Sequence, residues 1–427
     1  MNLISNVSPS VLEGLEYLQG QQDTMLENTL ALANINSGTR HLAGLAQVHD
    51  RLYDLFSPIA DISESIALAP TQALGDDGVL HDIHYGNALR FVKYPEAPIR
   101  VFLCGHMDTV FPVDHPFQTC QFLDDNRVNG PGTADMKGGL MVMLHALKAW
   151  EQHPLSHQLG WEIIINSDEE TGSLGSSDLL VKHASNAHMG MVFEPALADG
   201  TLAGSRKGSG NFSLLVSGLS AHAGREFSLG RNAIAGLSHA MSQLHQWNER
   251  EGITVNLGRI SGGGPLNVVT DTAVCHFNIR TQTTDDQHWA EERLRELVSR
   301  INDSKPPFED QLKATLHGAF YRPPKPLSEP NLQLFQWLAQ CGEQLDIAIH
   351  HKPTGGCCDG NNLVAAGLPN IDTLGVRGAN IHTADEFMCV DSLSERARLS
   401  FLLLDAFARN GDAYLESLSR WRASVKK

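Results

Sequence analysis

Residues 10–56 carry apolar positions at helical spacing, interrupted at 34–38, which predicts two N-terminal helices laid over a sheet. Short β-rich runs follow at 88–94 and 100–104, and the second runs directly into GHMDTVFP. The same grammar repeats twice: 161–166 is an apolar strand ending in SDEETGS, and 189–193 is another ending in Glu194-Pro195. Between the first two motifs, 138–150 has helical periodicity, so the order strand, helix, strand is that of an α/β protein. Ligands of such sheets gather outside the carboxyl ends of the strands. Three strand ends thus deliver His, Asp and Glu to one edge.

From about Lys207 the pattern changes. Strands at 212–216, 254–260, 273–280 and 312–321 alternate with helices at 231–249 and 285–301, the β-α-β-β-α-β order of a ferredoxin-like unit. YRPPKPLSEP at 321–330 reads as a stiff return linker, and the helices at 331–345 and 392–407, with KPTGGCCDGNN between them, complete the first unit. The division expected is therefore 1–206 and 322–427 for an α/β catalytic domain and 207–321 for an inserted α+β domain. A chain of 427 residues is long enough for two hydrophobic cores.

Composition narrows the class. With 32 basic against 49 acidic residues the formal charge is -17, which argues against nucleic acid or an anionic membrane as partner. No apolar run reaches the length of a membrane span. The N-terminus lacks the basic start, apolar run and cleavage site of a secretory signal, so a cytoplasmic location is expected. The seven cysteines show no CxxC spacing and are expected to be mostly reduced.

The chemistry sits in the strand-end motifs. Zinc takes imidazole nitrogen and carboxylate oxygen at about 2.0 to 2.2 Å, and the motifs offer His106, Asp135 in GPGTADMKGG, the adjacent Glu169-Glu170, Glu194, and His382 in GANIHTADEF. Neighbouring glutamates can divide the work: one ligates, the other, turned elsewhere, accepts a proton from water.

In order, HMDTV, GPGTADMKGG, DEETGS, FEP, SAHAG, GGCCDGN and GANIHTADEF resemble the di-zinc metallohydrolases that include glutamate carboxypeptidase, acetylornithine deacetylase, succinyl-diaminopimelate desuccinylase and aminoacylase. The resemblance spans nearly the whole chain, and the intervals of 29 residues from His106 to Asp135, 34 to Glu169 and 24 from Glu170 to Glu194 fit the carboxypeptidase branch. It implies a zinc-exopeptidase-like α/β domain with a ferredoxin-like dimerisation or lid insert. It also implies two zinc ions per chain, with cobalt or manganese as substitutes. Asp135 would bridge them; His106 and Glu194 would complete one site, Glu170 and His382 the other. Asp108 would orient the His106 ring, Glu169 would be general base, and the peptide bond after Asp135 would be cis. His222 would reach into a partner subunit to stabilise the oxyanion, making the homodimer part of catalysis.

Arg206, Ser209, Asn267 and Arg280 match positions that hold a substrate carboxylate in relatives, a task suited to the guanidinium fork. The implied reaction is hydrolysis of an amide or peptide bond next to a free carboxylate. Glu194 tilts this away from aminopeptidases, where Asp is usual. An N-acyl amino acid deacylase is the alternative, and a catalytically silent binding protein of the same fold is the remote one. One departure stands out: relatives carry a small hydroxyl pair where this chain has Cys357-Cys358, for which buried packing is expected and a redox or metal-sensitive spot is the second reading. Asp385 and Glu386 are expected to support the His382 loop. The other histidines, His145 among them, are assigned surface or packing roles.

Overall fold

The computed structural model describes residues 8–308 and 311–425. Its centre is a six-stranded sheet in the order Ile62–Ile66, Ala88–Lys93, Leu159–Asn166, Ile99–His106, Met189–Val192, Asn370–Ile371. The first two strands are antiparallel to their neighbours, and the remaining pairs are parallel. The central strand reads IRVFLCGH with almost no polar alternation, as expected of a strand covered on both faces; Val101, Phe102, Leu103 and Cys104 are buried. Full burial of each large apolar side chain stabilises the fold by roughly 1.5–3 kcal/mol. All four parallel strands end at one edge, where the chain turns into His106, Ser167 to Glu170, Glu194 and Asp372.

Helix Gly138–Glu151 packs between the sheet and the helical layer of Pro9–Gln19, Gln22–Ala33 and Ser392–Val425, and is buried nearly all round. Its first turn approaches the sheet closely: a Cβ on Gly139 would fall 2.0 Å from the Phe193 carbonyl oxygen, so only glycine fits. The N-terminal segment forms three helices, not two. The run before 34 breaks at Gly20 and Gln21, and Leu42–Phe56 follows. The last helix continues well past 407, to Val425, because Tyr414 and Leu418 keep the apolar stripe going.

A second sheet, in the order Ala196–Leu197, Arg377–Ala379, Phe387–Cys389, Arg127–Asn129, Gln121–Asp124, carries the 380–386 loop against the 130–137 segment. A third is four-stranded and antiparallel, in the order Ile253–Gly262, Thr272–Thr281, Gly208–Ser217, Lys313–Arg322. Helices Ala233–Gln246 and Thr284–Asn302 cover one of its faces and enclose a separate core of Phe212, Leu214, Val216, Phe277, Ile279, Leu294 and Leu297. This is the ferredoxin-like strand order. Its open face carries Arg280 and Asn278 toward the edge of the first sheet. A hairpin at Thr71–Leu74 and Leu80–Ile83, which the sequence pattern does not announce, reaches this unit through Asp76, paired with Arg259 at 3.0 Å and His276 at 3.2 Å. Among the described residues no helix is long and apolar enough to cross a membrane.

Candidate metal centre and active site

Five side chains converge at the sheet edge as two triads that share Asp135: His106, Asp135 and Glu194, and Asp135, Glu170 and His382. In each triad the ligand atoms lie within 4.8 Å of one another. His106 Nε2 is 3.1 Å from Asp135 Oδ1 and 3.8 Å from Glu194 Oε1. His382 Nε2 is 3.3 Å from Asp135 Oδ2 and 3.2 Å from Glu170 Oε2. The two carboxylate oxygens of Asp135 thus face different imidazoles, the geometry of a bridging ligand.

Local backbone sets these directions. Gly132 takes φ +72°, a left-handed turn that costs glycine little, and the Asp135-Met136 peptide is cis. Glu386 then fixes the loop: Oε1 accepts the backbone N–H of Ala134 (3.0 Å) and Asp135 (3.1 Å), and Oε2 accepts that of Gly132 (3.2 Å). Asp385, its neighbour, is exposed. Asp108 does similar work on the other side. It accepts from Glu169 N–H and Glu170 N–H at 3.2 Å each and from the Thr39 hydroxyl at 2.6 Å, and Oδ1 sits 3.4 Å from His106 Nδ1. The tighter contact of Nδ1, 3.0 Å, is to the Asp108 carbonyl, so the ring is steered by backbone as well as carboxylate.

The donor set is short of positive charge. Burial pushes Glu170 up to about 7, aided by Asp135, and raises Glu194 in the same way. Hydrogen bonds from its ring to the Asp135 and Glu170 carboxylates drive His382 up to about 11. For His106 burial acts downward, but Asp108, Asp135 and Glu194 outweigh it and carry the ring well above its ordinary value. Asp135, hydrogen-bonded by both imidazoles, is instead held well below the usual carboxylate range. Glu170 and Glu194, which resist ionisation, and imidazoles that resist deprotonation mark an excess of negative charge that divalent cations would relieve, and the nitrogen and oxygen donors suit zinc.

Glu169 stands beside the triads without joining either. Its Oε1 is 2.7 Å from Nη2 of Arg322, which also donates to the Glu169 carbonyl at 2.7 Å and to Ser173 at 3.0 Å. Burial raises the Glu169 carboxyl well above its usual range against the pull of Arg322, so it holds a proton more readily than an exposed glutamate. Arg322 ends the last strand of the insert, at the start of the stretch read from sequence as linker. Its arrival at a glutamate 153 positions away is a tertiary fact without a local pattern.

The four residues expected to hold a substrate carboxylate separate. Arg280 and Ser209 lie together, paired across neighbouring strands, beside Cys357. Arg206 is turned inward: Nε donates to Asp372 at 2.7 Å, and Asp372 also receives Lys325 Nζ at 2.6 Å, a buried network that ties the insert's two connecting segments to the central sheet. Asn267 sits on an exposed loop next to His222, where its carbonyl accepts Ala223 N–H at 2.9 Å. Among the described residues no hydrogen bond or ion pair links His222 or Asn267 to the two triads. His222 is exposed, and its Nδ1 accepts N–H from Gly224 (3.1 Å) and Arg225 (3.2 Å), which leaves Nε2 as the ring's donor.

Comparison with known proteins agrees with this architecture. Residues 102–406 match Peptidase_M20, Peptidase family M20/M25/M40. Carboxypeptidase G2 of Pseudomonas sp. (strain RS-16) is 26% identical over 315 residues, covering 71% of this chain and 73% of the relative. Succinyl-diaminopimelate desuccinylase of Psychrobacter sp. (strain PRwf-1) is 25% identical over 409 residues, 90% of this chain and 96% of the relative. The fold is shared with the Bacillus subtilis YXEP protein, a dinuclear metal binding peptidase from the M20 family, at TM-score 0.60 and 13% identity over 91% of this chain and 99% of that one. The chain belongs to peptidase family M20/M25/M40, a family of metal-dependent hydrolases of amide bonds.

Proposed function

We propose that this chain is a di-zinc hydrolase that cleaves an amide or peptide bond next to a free carboxylate, in the manner of a glutamate carboxypeptidase. The observation that carries the reading is the pair of triads sharing Asp135, with Glu169 adjacent but outside both. His106, Asp135 and Glu194 would hold one cation and Asp135, Glu170 and His382 the other. When bound, such cations acidify water and polarise a carbonyl. Glu169 takes the proton from the attacking water and returns it to the leaving amine, with Arg322 fixing its carboxylate in position. Asp108 orients His106 and holds the backbone of both glutamates.

Arg280 and Ser209 anchor the substrate carboxylate at this edge. His222 and Asn267 serve the active site of a second chain. In support, Leu219, Phe227, Leu229, Ile234, Ile260 and Leu266 are exposed on the 207–321 insert around the His222 loops, and strand Ile253–Gly262 has one unpaired edge. Apolar side chains beside an open strand edge mark an interaction surface. A homodimer through the insert covers both and brings the Nε2–H of one chain to the oxyanion formed in the other.

An N-acyl amino acid deacylase is the second reading, favoured by the desuccinylase relative, which aligns over 90% of this chain. Both readings require a carboxylate beside the scissile bond. A panel of glutamate-terminated peptides and N-acyl amino acids, each assayed beside its carboxamide, tests the shared claim and separates the two. Turnover confined to free carboxylates is expected. Equal turnover of the carboxamides would remove the anchor from the account.

A further inference from the structure

Cys357 lies where the insert meets the central sheet, and two guanidiniums from different strands converge on its sulfur. Arg280 Nη1 is 2.9 Å from Sγ and Arg322 Nη1 is 3.6 Å from it. Arg322 is 7% exposed, and its Nη2 is held by Glu169 and Ser173, which fixes Nη1 toward the sulfur. Gly355 and Gly356 before the cysteine are exposed, and Cys357 itself is half-buried. Cys358 is placed differently: it is buried, and its sulfur accepts the Gly360 N–H at 3.3 Å at the start of helix Asp359–Ala365. The pair therefore divides into one buried cysteine bonded to its own helix start and one half-buried cysteine whose sulfur receives two guanidiniums.

We propose that Cys357 is a covalent modification site, the thiol of this chain that hydroperoxides and alkylating agents reach first, and that its modification stops turnover by filling the space between Arg280 and Arg322. The second half rests on the carboxylate-anchor reading given above. With a hydroperoxide, Sγ attacks one peroxide oxygen and the O–O bond breaks. The transferred oxygen stays on sulfur as a sulfenic acid, and the other leaves as hydroxide from hydrogen peroxide, or as alkoxide from an organic hydroperoxide, and takes a proton. Sulfur loses two electrons and the peroxide gains them. With iodoacetamide, an S–C bond forms and iodide leaves.

The electrostatics run the same way. Burial alone would raise the Cys357 thiol, but Arg322 and Arg280 outweigh it and hold the thiol below its ordinary value. Cys120, the other cysteine that is not fully buried, is pushed up to about 11 by burial. Against an ordinary thiol, Cys120 thus gives up about a hundredfold in thiolate at neutral pH. Higher intrinsic nucleophilicity returns about half of that on a logarithmic scale, leaving a preference of at least about tenfold for Cys357.

The test uses the full-length, metal-loaded protein with iodoacetamide and, separately, hydrogen peroxide. Labelled sites are mapped by mass spectrometry as a function of time and pH, with metal content measured alongside. The expected result is a first label on Cys357, at least about tenfold ahead of Cys120, a rate that rises with pH through a midpoint below that of a free thiol, and full metal retention. Activity should fall in step with the label. In Cys357→Ala or, if that variant folds poorly, Cys357→Ser, whatever the variant's own rate, neither reagent should lower it further. First labelling at another cysteine, or complete labelling of Cys357 with turnover intact, would overturn the proposal. The labelling map needs no substrate, so an enzyme that turned over nothing in the carboxylate panel would refute the anchor without touching the map.

Discussion

Replacing Glu386 tests how the bridging carboxylate is aimed. Its two oxygens take three backbone N–H groups from the loop that carries Asp135, two on Oε1 and one on Oε2. Glu386→Gln keeps the shape but turns one oxygen into a donor. The cheaper orientation leaves the amide oxygen on Ala134 and Asp135 and sets the new NH2 against the Gly132 N–H. The Gly132 N–H then loses its acceptor and the new NH2 faces another donor, and each unsatisfied buried donor costs about 1–3 kcal/mol. Glu386→Ala strands all three donors and should cost more than the glutamine variant, though less than three times as much because water can enter the vacated space. Both triads depend on Asp135, so metal affinity should fall with stability, by about 10–100-fold for a partner of this kind. Urea unfolding of the metal-free proteins gives the first quantity, and competition with a chromophoric chelator gives the second. A glutamine variant with unchanged metal affinity at both sites would refute the view that Glu386 aims the bridge.

Two further outcomes follow from the geometry. His145 is buried on helix Gly138–Glu151, neither ring nitrogen has a hydrogen-bond partner among the described residues, and burial lowers its pKa from 6.5 to about 4. The neutral ring favours the fold, so its contribution is whole above the unfolded pKa of about 6.5 and is lost as pH falls toward the folded value, at about 1.4 kcal/mol per unit. His145→Leu should flatten the stability profile across that window; an unchanged profile would place the acid sensitivity elsewhere. If His222 acts in trans, His222→Ala and Glu169→Ala homodimers are each nearly inactive, whereas their heterodimer has one site with both lesions and one with neither. Half of the wild-type activity per heterodimer should then return on subunit exchange. No recovery, with exchange shown independently, would remove the trans assignment.

What could be read from the chain alone follows from where the chemistry sits. His106, Glu170 and Glu194 follow strands whose apolar runs are long and continuous, so strand and ligand announce each other in sequence. The ferredoxin-like order was equally plain, because its strands alternate and its helices keep their apolar stripe. The hairpin at Thr71–Leu74 and Leu80–Ile83 escaped because its short strands are largely exposed and carry no burial pattern. Arg322 escaped for another reason: its partners, Glu169, Ser173 and Cys357, come from elements far away in the chain, and the prolines after it read as linker. Arg206 shows the converse. Its residue type and position fitted an anchor, yet Asp372, which follows a two-residue strand no pattern could reveal, takes its charge inward.

The division of labour between the adjacent glutamates is the centre of the account, and metal content beside turnover measures it directly. Glu169→Ala should lose about 10²- to 10⁴-fold in turnover or more while binding as much metal as the wild type, since Glu169 belongs to neither triad. Glu170→Ala should lose metal from the site it shares with Asp135 and His382, and activity with it. Equal metal content in the two variants, or loss of metal from Glu169→Ala, would contradict the assignment of base and ligand.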